Sequence, residues 1–162
     1  MCAVCDLHAN FLSLKVAILF AFFGLLRISN LAPAPAAGFD ADKDTLIDDI
    51  RVHENSLVIY LKWTKTLQDS NQEAHIVVPA LNDKDICPVK AFIDLTEHYN
   101  KYAIEGEVPL LPNPCAGQSK FMSTHMLRKW LNLAQDIADL DIHLTFHAFR
   151  RGGASLLYAE FP

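Results

Sequence analysis

His147-Ala148-Phe149-Arg150-Arg151-Gly152-Gly153-Ala154-Ser155, preceded by Leu144-Thr145-Phe146, is the stretch that decides how the chain is read. A His and an Arg three residues apart on a helix share one face, so both side chains reach a single anionic group. Arg brings a planar fork of donors that matches phosphate oxygens, and His moves a proton near neutral pH. Thr145 precedes the helix, and Gly152-Gly153 removes side-chain bulk where the helix can pack closely. His-x-x-Arg alone is common, so its neighbours carry the argument. Phe22-Phe23-Gly24-Leu25-Leu26-Arg27-Ile28-Ser29-Asn30-Leu31 places an Arg directly after an apolar run. Tyr60-Leu61-Lys62-Trp63-Thr64-Lys65-Thr66 places lysines at the tip of an expected β-hairpin.

The rest of the chain reads as helices around one small sheet. Residues 11–26 form an apolar helix that Asn10 is placed to cap. Ala32-Pro33-Ala34-Pro35 stops helical structure, because proline lacks the donor and restricts the residue before it. Residues 47–52 and 56–61 read as strands joined by a turn at 53–55, with a third strand at 75–78, giving a three-stranded antiparallel meander. Pro88 opens a helix through Ala91, Phe92, Leu95 and Tyr99. Ser123 or Thr124 caps another, with Met126, Leu127, Trp130, Leu131, Ala134 and Ile137 at helical spacing. No linker or repeat divides the chain, so residues 1–162 are expected to form a single domain.

Arg, then hairpin Lys, then His-x-x-Arg, in that order, resembles the catalytic domain of tyrosine recombinases, the phage-integrase family. The likeness is greatest to the forms carried by eukaryotic mobile elements, in which Phe-Arg-Arg-Gly-Gly-Ala is typical of the second arginine motif. It runs from about Leu12 to the end. The fold this implies is that of DNA breaking-rejoining enzymes: mainly α, with a small three-stranded antiparallel sheet. The resemblance also implies double-stranded DNA as partner, homo-oligomers on that DNA, and a nuclear or otherwise intracellular location. Neither a cofactor nor a small-molecule substrate is implied.

In that family two arginines, matching Arg27 and Arg150, stabilise the charge that grows on the non-bridging phosphate oxygens. The hairpin lysine, matching Lys65, protonates the leaving 5′-oxygen, and the histidine matching His147 acts as acid or base and orients the phosphate. Guanidinium groups fill the electrostatic role that a metal ion plays in other phosphoryl-transfer enzymes. Lys62 competes with Lys65 for the lysine role. Asn30 stands where the family often has an acidic residue. The sequence ends twelve residues after Arg150, before the family's later Trp or His and its nucleophilic Tyr are expected. Tyr158 is too near Arg150 along the same helix to match that Tyr, so the fold is expected to be incomplete at its C-terminus and the chain inactive alone. A non-catalytic DNA-binding remnant of a mobile element and a helical protein-interaction module are the alternatives.

Composition fits this picture with one tension. A hydrophobic share of 51% with 20% charged residues is that of a globular chain that can bury a core. The formal charge of -5 runs against a DNA-binding surface and predicts weak binding. Cys2-x-x-Cys5 with His8 lacks a second ligand pair at zinc-site spacing, and His143 with His147 lacks the zincin Glu, so no metal is expected. The apolar run at residues 16–26 is too short to span a bilayer, which needs about twenty residues, so no membrane partner is expected. The acidic residue before that run and Arg27 after it disfavour a signal peptide.

Overall fold

The computed structural model describes residues 3–62, 74–101, 106–113 and 121–160, with side chains from Leu7 onward. Helix α1 (Ala3–Phe23) is the axis of the domain. Val16, Ala17, Phe20 and Ala21 are fully buried, and Ala9, Leu14 and Leu19 nearly so. A helix apolar on all sides has to be covered on all sides. It packs against α3 (Pro88–Asn100), α4 (Thr124–Ile137) and α5 (Phe146–Glu160). Asn10 does not cap α1 but lies buried inside it. No Pro or Gly in residues 1–9 stops the helix from beginning earlier.

The sheet is an antiparallel meander of β1 (Ile50–His53), β2 (Ser56–Leu61) and β3 (Ala74–Pro79), in the order β1-β2-β3. Ile50, Leu57, Ile59, Leu61 and Val78 turn inward and are buried, whereas Arg51, Val77 and His75 lie on the other face and are exposed. His53 pairs with Ser56, so the turn is the two-residue Glu54-Asn55. Residues 47–49, expected as strand, form a 3₁₀ turn. The Asp49 carboxylate accepts the Leu46 amide at 2.8 Å, and the backbone beside it pairs with residues 108–110, the Ile47 amide donating to the Val108 carbonyl at 2.9 Å.

Tyr99 ties the layers together. Its hydroxyl donates to the Pro112 carbonyl at 2.5 Å and lies 3.0 Å from Ser13 Oγ, joining α3 to α1 and to the segment at 106–113. Phe92 of α3 lies against Phe20 of α1. On α4, Leu127 and Leu131 are buried, but Ile137, expected on the apolar face, is 68% exposed. Ser123 Oγ accepts the Met126 amide and caps α4. Cys87 is free and buried. Among the described residues no helix is long and apolar enough to cross a membrane, and no three His, Cys, Asp or Glu side chains gather as metal ligands would.

Candidate nucleic-acid interface

The first arginine motif lies in a break between two helices. Helix α1 ends at Phe23, and the amides of Gly24 and Leu26 both donate to the Phe20 carbonyl, at 3.0 and 3.3 Å. Leu25 turns the chain with a φ of 52°, the left-handed region that costs a non-glycine residue about 1–2 kcal/mol. The one-turn helix α2 (Ile28–Leu31) then starts with Arg27 as its N-cap. Asn30 closes that turn. Its Oδ1 accepts the Arg27 amide at 3.2 Å, its own amide donates to the Arg27 carbonyl at 2.8 Å, and Thr45 Oγ1 donates to the Asn30 carbonyl. The Asn30 side chain therefore shapes the backbone beneath Arg27, whose own side chain is exposed.

The second motif is brought to the first by α5. Thr145 Oγ1 accepts the Ala148 amide and starts the helix. Gly153 then lies against α1 so closely that a Cβ there would be 1.9 Å from the Phe22 carbonyl oxygen. This contact fixes how far α5 can slide along α1. One turn before it, Arg150 is half-buried and donates its Nε–H to the Leu25 carbonyl at 2.7 Å. The second arginine thus hydrogen-bonds the backbone two residues before the first. His147, one turn earlier on the same helix, is exposed and lines a cleft of about 270 Å³ with Ile28, the residue after Arg27.

That cleft holds two further basic groups, Arg128 from α4 and His143 from the loop before α5. His143 precedes the helix, so it and His147 line the cleft from the loop and from α5 and not as a pair on one helix face. The loop is held by Gln135, whose amide bridges the Leu144 backbone in both directions, at 3.2 and 2.5 Å. Arg128 also borders a second cleft of about 560 Å³, lined by Asp40, Lys43 and Asp44. There the Lys43 ammonium holds the Asp40 carboxyl below its ordinary range, and burial raises that of Asp44. Arg128 belongs to no motif in the sequence. The spacing of His125, Arg128, Lys129 and Asn132, all exposed on one side of α4, was the available signal.

Lys65 lies outside the described residues. Lys62, its competitor, has its ammonium engaged by the Asp49 carboxylate at 3.0 Å and the Ala41 carbonyl at 2.9 Å, which marks it as a structural tie. Arg151 is exposed on the α5 surface. Tyr99 is buried in the core, and Tyr60 sits on the sheet beneath the Arg51 guanidinium. Tyr158 is 82% exposed, and eight residues of helix put it about 12 Å along α5 from Arg150. No protein-family model, curated protein or solved structure matches this chain.

Proposed function

We propose that this domain binds the phosphodiester backbone of double-stranded DNA through a tyrosine-recombinase-type pocket, with Arg27 and Arg150 as phosphate ligands and His147 beside them. The observation that carries the reading is the bond from Arg150 Nε to the Leu25 carbonyl. Arg150 bonds the backbone of the helix break two residues before Arg27, and the histidine lies one turn from Arg150 on α5. Two cations and an imidazole at an open surface suit an anion that is too large to be enclosed, such as a nucleic-acid backbone. Arg128 of α4 lines the same cleft as His147. The same reading gives Lys65, which lies outside the described residues, the role of general acid in strand exchange at the recombination site of a mobile element, in the nucleus or wherever that DNA lies.

Strand cleavage in this scheme needs a nucleophile to hold the cut end. Of the described tyrosines, Tyr99 is buried, Tyr60 sits under Arg51 on the sheet and Tyr158 is about 12 Å along α5 from Arg150, so the reading gives the residues named here the binding and polarising of a phosphate and assigns none of these three as the nucleophile.

The test is a titration of fluorescent duplexes of unrelated sequence. If three phosphates are neutralised, affinity should fall about fortyfold between roughly 50 and 200 mM salt. Arg150→Ala should weaken all duplexes alike. Binding that ignores salt, or a variant with altered base preference, would contradict the reading.

A further inference from the structure

The guanidinium of Arg150 offers an anion two kinds of edge. One is the side edge, made of Nε–H and one Nη–H; the other is the end, made of the two Nη groups. In this structure Nε–H is already used by the Leu25 carbonyl, at 2.7 Å in a half-buried setting. That carbonyl is aimed by the left-handed backbone of Leu25, and the Leu25 side chain packs over Gly153, where an added Cβ would come within 3.0 Å of its Cδ2. The contact is thus held on both sides, by the turn after α1 and by the close approach of α5.

Resting on the DNA-binding reading above, we propose that Leu25 is a positioning residue, whose carbonyl holds the Arg150 side chain so that a DNA phosphate is met end-on, by the two Nη groups alone. A side-on fork would require Nε–H to leave the carbonyl and take away its donor in a half-buried setting. The end-on arrangement keeps that bond in both free and bound states. It also removes rotamer freedom from a long side chain before DNA arrives, so less is lost on binding. Charge at residue 150 is then not sufficient. A lysine has no planar fork, and its single ammonium cannot serve the carbonyl and a phosphate in the same geometry.

Arginine ¹H–¹⁵N spectra of the whole 162-residue chain read this directly, with the Arg150 Nε–H signal assigned by its loss in Arg150→Lys. In free protein that proton should exchange slowly with water, and it should stay protected and nearly unshifted when a duplex oligonucleotide is added, while the Nη signals move. Arg150→Lys should bind the duplex about tenfold more weakly with an unchanged salt slope, because charge is kept and geometry is lost. An Nε–H that exchanges like that of free arginine while DNA still binds would overturn the positioning role and leave the DNA reading intact. So would an Nε–H that shifts in step with DNA saturation, or a lysine variant of equal affinity. A protected Nε–H in a protein that ignores DNA would overturn the DNA reading and the end-on mode with it.

Discussion

Arg150 donates its Nε–H to the carbonyl of Leu25, 125 residues earlier in the chain and 2.7 Å away. The bond ties the last helix to the break that follows the first, two residues before Arg27. Much of what can be tested in this molecule follows from how that junction is built.

Gly153 and Gly152 should behave differently although they are adjacent. A Cβ at Gly153 meets main-chain oxygen of Phe22 at 1.9 Å, and backbone cannot swing aside. At Gly152 the nearest atom is a Phe22 ring carbon at 3.2 Å, which a small ring tilt relieves. Gly153→Ala should therefore destabilise by about 1–3 kcal/mol or more through overpacking. Gly152→Ala regains up to about 1 kcal/mol of helix propensity and should be close to neutral. Thermal denaturation of the two variants side by side decides it, and equal losses would mean that α5 does not sit against α1 as described.

Tyr99→Phe should cost about 1–3 kcal/mol, because it leaves the buried Pro112 carbonyl without its donor and takes a hydrogen bond from Ser13. Urea denaturation measures this. A loss under about 0.5 kcal/mol would show that the hydroxyl is not the tie between α3 and the segment at 106–113.

Acid should weaken the fold through His98. Burial lowers its imidazole from the ordinary 6.5, and the nearby His8 and Lys101 act in the same direction. With the folded value below the unfolded one, the contribution is fully present above about 6.5 and is lost as pH falls through the folded value. Melting temperature measured from pH 7.5 down to 5 should drop, and His98→Gln should flatten the decline. A variant with the parent's pH slope would assign the effect to other groups.

Some of this was legible in residue order, and the reasons are local. The alternation of Leu57, Ile59 and Leu61 marks β2, Pro88 marks the start of α3, and Ser123 and Thr145 mark the starts of α4 and α5, because period, proline and caps act within a few residues. Residues 47–49, by contrast, leave the sheet where the Asp49 carboxylate accepts the Leu46 amide and the backbone pairs with residues 108–110, a partner distant in sequence. The left-handed Leu25 was not legible either. Gly24 stands next to it, and only the packing of α5 over the turn explains why a leucine accepts the strained position. Arg27, His147 and Arg150 are named by the recombinase resemblance, and of these His147 lines the cleft, to which Arg128 and His143 come through the folding of α4 and its loop.

The account stands or falls on whether Arg27 and Arg150 act on the same phosphate. A double-mutant cycle in duplex affinity, with Arg27→Ala, Arg150→Ala and the pair, measures this directly. Each single change should cost about tenfold or more, as loss of a charge-assisted hydrogen bond does. The double variant should then lose less than the two combined, by more than about 0.5 kcal/mol, since the second arginine has less left to hold once the first is gone. Losses that simply add would place the two arginines on separate contacts, and no loss in either would remove DNA from the account.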